Sequence, residues 1–346
     1  MIFQKAPLRL HIGLTVCILS IPGVAHAQTS ATLAHIRATN TLTCGVNQEE
    51  AEFSTSDDHG SREAFDHDLC KAVATAILGP HAQVAYAEFP DDATGQQALR
   101  TGAIDMIATQ TADFAHAAPS WVAMTRPVLY DGLALMVPKK LGITQARQLA
   151  GKKICFIAET ETEVSLRAWF IRERLDFVPF PFQEEGEMQA AYATGNCAAL
   201  AGDGTRLANT RLAFGKHADD YALLPELLSK DPLAIATRST DADLSHIAAW
   251  TVEILLQAEE DGVTAANVEA MRRSEVESIG RLLGRTHELG APLGLAPDWA
   301  AQLLKATGNY GEIYERDLGA ASPLKLARGP NTLWSHGGLM MALPLK

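Results

Sequence analysis

Apolar and polar positions alternate along the chain in a pattern that predicts short strands separated by helices. TLTCGVN, VAYAEF and IDMIAT are short runs typical of strands. FDHDLCKAVATAIL and the segment around QQALRTG are predicted helices between them. The apolar positions that share one face of the first helix are Phe65, Leu69, Ala72, Val73, Ala76 and Ile77. This β-α-β-α-β order predicts an α/β fold with a parallel sheet.

The same theme restarts after DGLALMVPKK, which contains a run typical of a buried strand. The strands ICFI, FVPFPF and CAALAGD alternate with predicted helices that include GEMQAAYATG and TRLANTRLA. DPLAIATR is one more buried strand, and a long helix follows it. The inner face of that helix carries Leu244, Ile247, Ala248, Val252 and Leu255.

Two α/β units in series predict two lobes. No Pro-, Ser- or Gly-rich linker separates them, so we expect two short strands to cross between the lobes, at about Met136 and about Leu233. Residues 28–136 and 233–346 then form lobe one, with a C-terminal extension that wraps it, and residues 137–232 form lobe two.

The first 27 residues have the features of a secretory signal peptide. Lys5 and Arg9 precede an apolar run, and Ala25 and Ala27 form a small-residue cleavage site. The mature chain is expected to begin at Gln28 and to be exported. Cleavage would change the formal net charge from −12 to −14, which argues against nucleic acid or an anionic membrane as partner.

Four of the five cysteines remain after cleavage, because Cys17 lies in the signal peptide. An even number in an exported protein favours disulfides over a metal site or a catalytic thiol. Three pairings are possible. The nearest-neighbour one, Cys44 with Cys70 and Cys155 with Cys197, would contribute about 3–4 kcal/mol per bond in the loop-entropy model.

Motifs for covalent chemistry are missing from the sequence. It has no G-x-S-x-G and no Walker motif, and GDGTRLA lacks the third glycine of a dinucleotide loop. DDHGSREAFDHD contains His59, His67 and several acids, but its spacing fits no compact metal motif, and Asp66 suits a helix N-terminus. We expect no catalytic residue, no metal and no cofactor.

Two positions stand where open α/β sheets hold ligands. Asp203 follows CAALAG and should emerge at the carboxyl end of a strand, where its carboxylate could hold a cationic amine or simply hydrogen-bond its own turn. Thr160 follows the first strand of lobe two at the equivalent edge. The backbone N–H groups there would suit an anion, which Glu159, Glu161 and Glu163 would partly oppose.

The chain resembles the periplasmic substrate-binding proteins of ABC transporters, in particular the general L-amino-acid-binding type (solute-binding protein family 3). The segments that carry this resemblance are CGVN, FDHDLCKAVA, LYDG, KKICFIA, AAYATGNC, EEDGVTAANVEAM, GNYGEIYERDLG, SPLKLARGPNTLW and GGLMMALP. The resemblance implies a two-lobe fold of the type II class, in which a ligand binds in the cleft between the lobes and the lobes close on it.

The resemblance also implies a ligand site. Asp203 falls on the lobe-two aspartate that holds the α-amino group, and Thr160 on a lobe-two contact. In lobe one, Thr109 and Thr111 fall on the loop that meets the α-carboxylate, and Phe53 falls in the loop that supplies an aromatic or apolar wall.

The sequence departs from the family at the arginine that binds the α-carboxylate. Its expected place, counted from Asp105, is Ala117, and the hydroxyl before it becomes Ala112. Glu159 replaces a family glycine. Loss of the arginine would cost a carboxylate ligand several kcal/mol.

Three explanations for this departure stay open. Arg206 replaces the arginine, or the ligand is an amine without a carboxylate that Asp203, Glu159 and Glu161 accept, or the protein has lost transport.

We expect a monomeric periplasmic protein, not an enzyme, that delivers a small amine-bearing ligand to an inner-membrane ABC permease. The alternatives are a secreted dehydratase-like enzyme, with Glu159 or Glu161 as general acid, and a ligand-sensing partner of a signalling protein.

Overall fold

The fold is described from a computed structural model of the chain, for residues 1–2, 30–47, 55–56, 62–285 and 289–345. In these ranges no helix is both long and apolar enough to cross a membrane. Phe53 and nearly all of the signal-peptide segment lie outside the described residues.

The described strands are numbered in chain order. They are β1 (Thr41–Asn47), β2 (Thr55–Ser56), β3 (Arg62–Glu63), β4 (Gln83–Phe89), β5 (Met106–Thr111), β6 (Val122–Asp131), β7 (Leu133–Pro138), β8 (Lys153–Ile157), β9 (Val178–Phe182), β10 (Ala199–Asp203), β11 (Tyr221–Leu223) and β12 (Asp231–Arg238).

The described α-helices follow the same order. They are α1 (Ala31–Thr39), α2 (Phe65–Leu78), α3 (Asp92–Thr101), α4 (Phe114–Ala117), α5 (Glu161–Glu173), α6 (Glu185–Ala193), α7 (Gly204–Ala213), α8 (Ala242–Glu260), α9 (Val268–Met271), α10 (Glu277–Leu282), α11 (Trp299–Thr307) and α12 (Tyr310–Asp317). Short 3-10 helices lie at Lys139–Leu141, Ala146–Leu149, Gly215–Asp220, Ala291–Leu293, Gly329–Asn331 and Trp334–His336.

The strands form two separate five-stranded sheets, one in each lobe. The first lobe's sheet has the order β4-β1-β5-β12-β6, and the second lobe's sheet has the order β11-β7-β10-β8-β9. Parallel pairs lie at β1 with β4 and β5, and at β8 with β9 and β10. The return strand β12 runs antiparallel to β5 and β6, and β7 runs antiparallel to β10. Both sheets are therefore mixed, where the sequence had predicted parallel ones.

The sequence pattern missed β6, and with it the place where the chain changes lobes. Arg126 and Pro127 interrupt the apolar run, and proline is tolerated in a sheet mainly at an edge, which is where β6 lies. The sheets change at Gly132, between β6 and β7, and change back before β12. The expected crossing residues Met136 and Leu233 instead lie inside β7 and β12.

The first sheet is covered by the two helices whose apolar faces the sequence predicted. Phe65, Leu69 and Val73 of α2 are buried against the first sheet together with the inner face of α8. A disulfide joins Cys44 in β1 to Cys70 in α2 across this core, and another joins Cys155 in β8 to Cys197. The structure therefore has the nearest-neighbour pairing.

The two crossings between the lobes lie directly against each other at Gly132. Its backbone has a φ of 149°, and a Cβ atom there would approach the Ser229 carbonyl oxygen to 2.6 Å. A side chain is excluded both by this contact and by the backbone conformation. The Leu133 N–H donates to Ser229 Oγ at 2.9 Å, which fixes one crossing to the other.

Asp131, at the end of β6, joins the crossing to the N-terminus of α7 in the second lobe. Its Oδ1 accepts from the N–H groups of Gly132 and Gly204 at 2.8 and 2.9 Å. Its Oδ2 accepts from the N–H and hydroxyl of Thr205 at 3.0 and 2.7 Å. This carboxylate is buried and accepts from the first N–H groups of α7, which have no acceptor within the helix; the Gly204 N–H also donates to the Gly132 carbonyl at 3.2 Å.

We expect Asp131→Asn to lower the free energy of unfolding by about 2 kcal/mol or more, because the amide removes acceptor capacity and the negative charge at a buried helix N-terminus. Denaturant unfolding of the purified protein measures this loss. Asp219→Asn is the matched control: Asp219 is exposed, so the same change should alter stability by less than about 0.5 kcal/mol. Equal losses in the two variants would contradict the role of Asp131.

Candidate ligand-binding site

A cavity of about 460 Å³ lies between the lobes at the carboxyl ends of β5, β8 and β10. This is the position at which open α/β sheets hold ligands. The residues that line it, called the cleft below, are Thr111, Asp113, Leu133, Ile157, Thr160, Glu161, Thr162, Ser165, Glu185, Met188, Ala201, Gly202, Asp203, Arg206, Ser229, Lys230, Asp231 and Pro232.

Asp203 is the last residue of β10 and the residue immediately before α7, so it occupies the N-cap position of that helix. Its side chain does not cap the helix, because Asp131 reaches α7 from the first lobe and bonds the N–H groups of Gly204 and Thr205. The Asp203 carboxylate instead lines the cleft.

Asp231 is a second carboxylate in the cleft, and the sequence reasoning missed it. It is the first residue of β12, directly opposite Asp131 in the sheet register. Burial, followed by repulsion from Asp203, Asp131 and Asp92, raises its pKa to about 6, against the opposing effect of a hydrogen bond with Thr111. A positive ligand group would relieve this repulsion.

Acidic side chains outnumber basic ones around the cleft. The carboxylates on its wall are Asp113, Glu161, Glu185, Asp203 and Asp231. The cations are Arg206 and Lys230. Arg206 lies 3.6 Å from Glu185, so part of its charge is already opposed. The electrostatic balance of this cavity therefore favours a cation over an anion.

The start of α5 forms one rim of the cleft. Thr160 precedes the helix and donates its hydroxyl proton to the Ile157 carbonyl at 2.8 Å, so toward a ligand it can act as an acceptor. Glu161 lines the cleft. Glu159 is exposed and lies outside it, because a left-handed backbone with φ 61° turns the chain away there. That conformation favours glycine, which is the residue expected from the family.

The loop after β5 supplies Thr111 and Asp113, but not Thr109. Thr111 is the last residue of β5, at the strand's carboxyl end, whereas Thr109 lies two residues inside the strand and is buried. Thr109 instead contacts a small separate cavity beside Asp92 and Gln110. Of the two threonines, Thr111 alone is among the residues that line the cleft.

Ala117, at the position expected for the arginine, is exposed on the four-residue helix α4. The neighbouring His116 donates through Nδ1 to Asp113 Oδ1 at 2.6 Å, and its Nε2 lies 3.8 Å from Asp92 Oδ2. Burial would raise the pKa of Asp113, but hydrogen bonds from the backbone and ring of His116, and its charge, lower it overall. Asp113 therefore adds negative charge where a carboxylate clamp was expected.

The acidic and histidine-rich stretch before α2 is only partly described. Within it, Asp66 and His67 are buried and bonded to each other, Oδ1 to Nδ1 at 2.9 Å. Across the ranges that the structure describes, no group of three His, Cys, Asp or Glu side chains is arranged to hold a metal ion.

Three of the cleft residues that the sequence did not predict, Ser229, Lys230 and Asp231, lie together on the returning crossing. These positions precede an apolar strand, whereas ligand-binding residues of open α/β sheets are expected to follow one. The signal available in the sequence for a cleft residue was a charged side chain next to a buried strand that passes between the lobes.

Comparison with known proteins supports the resemblance. No protein-family model matches the chain. It is 39% identical over 326 residues to the general L-amino acid-binding periplasmic protein AapJ of Rhizobium johnstonii, which covers 93% of this chain and 95% of that protein. It is 35% identical over 325 residues to the glutamate/glutamine/aspartate/asparagine-binding protein BztA of Rhodobacter capsulatus, covering 93% and 96%.

A solved structure shows the same architecture. The ABC transporter periplasmic binding protein from Brucella ovis with glutathione bound is 37% identical, has a TM-score of 0.78, and is matched over 92% of this chain and 100% of that one. These relatives are binding proteins of transporters, not enzymes, and the dehydratase alternative is not favoured. With its two mixed α/β lobes of the type II fold, the chain belongs to the periplasmic substrate-binding proteins of amino-acid ABC transporters.

Proposed function

We propose that this protein captures a small polar ligand that carries a protonated amine, an amino acid or a related amine, and delivers it to an inner-membrane ABC permease. The observation that supports this most directly is the pairing of Asp203 and Asp231 in a cleft with five carboxylates and two cations. In this proposal the protein acts in the periplasm after cleavage behind Ala27.

Closure of the lobes would complete the site. The sequence predicts lobe one at residues 28–136 and 233–346 and lobe two at residues 137–232. We place the two boundaries at the crossings instead, at Gly132 and just before Asp231. Thr111 would contact the ligand from the first lobe, and Thr160 and Asp203 would contact it from the second. Phe53 is a proposed wall residue on the basis of the family resemblance alone. Such a domain motion uses the short crossing segments as its hinge.

A ligand carboxylate has two candidate partners in place of the family arginine. Arg206 lies one helical turn beyond Asp203 and shares its charge with Glu185, and Lys230 lies in the crossing. We assign the amine as the required group and the carboxylate as optional, because the cleft offers more negative than positive charge. Glutathione, bound in the Brucella ovis relative, carries an amine and is included among the ligands to be tested.

The first experiment is a thermal-midpoint screen of the mature protein against L-amino acids, glutathione, amino-acid amides and polyamines. A ligand that binds only the native state raises the midpoint, and the stabilisation grows with the logarithm of its concentration relative to Kd. Shifts with amides or polyamines would show that the carboxylate is dispensable. Binding restricted to compounds without an amine would overturn the proposal.

We expect Asp203→Asn and Asp231→Asn each to weaken binding of the best amine at least tenfold, because each removes a charge-assisted hydrogen bond worth about 1.5–3 kcal/mol. Isothermal titration measures the change in Kd. Glu187→Gln on α6 is the matched control, since Glu187 is exposed and outside the cleft whereas Glu185 lines it. If the control loses as much affinity, general electrostatics rather than these two contacts hold the ligand.

Amine binding should also depend on pH through Asp231. Its pKa of about 6 means that it holds a proton in the empty cleft below that pH, and a cationic ligand binds the ionised form. Affinity should therefore rise about tenfold from pH 5 to pH 7 and then level off. The charged groups that face Asp231 are Asp203, Asp131 and Asp92, with Lys230 beside it in sequence.

Asp231→Asn should flatten this pH profile while leaving weaker binding. The stability of the empty protein changes with pH in the opposite direction. The pKa of Asp231 in the folded chain lies above the ordinary value of 3.8, so its contribution to the free energy of unfolding declines as the pH rises from about 4 to about 6. A pH profile for amine binding that is unchanged in Asp231→Asn would assign the titration to another group.

A further inference from the structure

A second cavity, of about 480 Å³, lies behind the crossing segments and shares no lining residue with the cleft. Successive residues of β7 face opposite sides, so Leu133 lines the cleft and Ala134 lines this second cavity. Its walls come from Leu129–Asp131 of the first lobe, from α7 and β11 of the second lobe, and from the C-terminal segment 325–331. We call it the rear cavity.

Three cations in the rear cavity have no carboxylate of the described residues close enough for an ion pair. They are Lys139, Arg211 and Lys325, and among the described residues none has a carboxylate oxygen within 4.0 Å. The fourth cation, Arg328, is different, because it pairs with Glu259 and lies over Tyr310 and Tyr314. Three cations without an ion pair among the described residues are unexpected around one cavity in a chain with a formal net charge of −12.

Two acids also contact the rear cavity. Asp131 already accepts four hydrogen bonds from the backbone and from Thr205, so its charge is engaged by α7. Asp219 is exposed at the rim. Arg211 is half-buried, and burial lowers its pKa against the opposing charge of Asp219. Its guanidinium donates to the Leu324 carbonyl, which is a neutral partner.

Lys325 is held in an unusual backbone conformation. Its φ is 48°, in the left-handed region, which costs a non-glycine residue about 1–2 kcal/mol. Such strain often accompanies a functional position. Here it accompanies a lysine on the cavity wall. Apolar and aromatic surface from Tyr221, Tyr314 and Leu227 completes the lining.

We propose that the rear cavity is a second ligand site, which takes a small organic anion: a carboxylate or phosphate carried on an aromatic or apolar body. Lys139, Arg211 and Lys325 bind the anionic group, and the tyrosines contact the body. The ligand touches the first lobe, the second lobe and the C-terminal segment at once, so its affinity depends on lobe closure and is thermodynamically linked to occupancy of the cleft.

The test uses the whole mature protein with phenyl phosphate, benzoate and inorganic phosphate as anionic probes and benzyl alcohol as the neutral counterpart. Titration followed by calorimetry or NMR should show saturable binding of phenyl phosphate or benzoate and none of benzyl alcohol. Whichever of the two anions binds tighter identifies the anionic group, and weaker binding of inorganic phosphate measures the contribution of the aromatic body.

The double variant K139Q/K325Q should weaken the binding of the anion at least tenfold. K140Q is the matched control, because Lys140 is exposed beside Lys139 but outside the rear cavity. Both cavity lysines are exposed, so the double variant should keep its thermal midpoint, and the single variants K139Q and K325Q serve if it does not. Asp203→Asn should leave anion binding unchanged, which separates this site from the cleft.

Three outcomes would overturn the proposal. The first is the absence of saturable anion binding. The second is an equal loss in K140Q and in the double variant. The third is an anion whose binding is altered more by Asp203→Asn than by K139Q/K325Q, which would place the anion in the cleft.

Discussion

The Asp131 carboxylate is the contact on which the geometry of the cleft depends. It lies at the end of the first lobe's edge strand, yet it bonds the N-terminus of α7 in the second lobe. A helix whose N–H groups are satisfied from outside does not need its own N-cap side chain, and Asp203 is thereby directed to the cleft wall. The aspartate that stabilises α7 and the aspartate that lines the site are separate residues, so each can be optimised for one task.

The sequence was informative where a residue follows an apolar run. Asp203 could be placed because CAALAG ends at a sheet edge, and the faces of α2 and α8 could be listed because helical periodicity decides burial. The position of the crossing could not be read, since β6 contains Arg126 and Pro127 while β7 continues as an unbroken apolar run. Asp231 could not be predicted as a cleft residue for a related reason. Its importance comes from Asp131, Asp203 and Asp92, which only the folded chain brings near.

Charge is separated across the crossing segments. The cleft on one side carries a surplus of carboxylates, and the rear cavity on the other contains three cations without ion-pair partners among the described residues. Because the crossing segments are short, the acidic cleft and the basic rear cavity lie only a few residues apart along β7 and α7. Only two cations, Arg206 and Lys230, stand beside the five carboxylates of the cleft, so most of their negative charge is left for a ligand.

The packing of α7 has a consequence for how the protein unfolds. Ala208 of this second-lobe helix is fully buried within the hydrophobic core of the first lobe. The second lobe is also inserted into the first, since both of its ends return to the same sheet. Loss of one lobe's core would expose apolar surface of the other, so heat or denaturant should unfold the two lobes in a single cooperative transition. The cell's proteases would then encounter either the whole fold or an unfolded chain, and rarely one lobe alone.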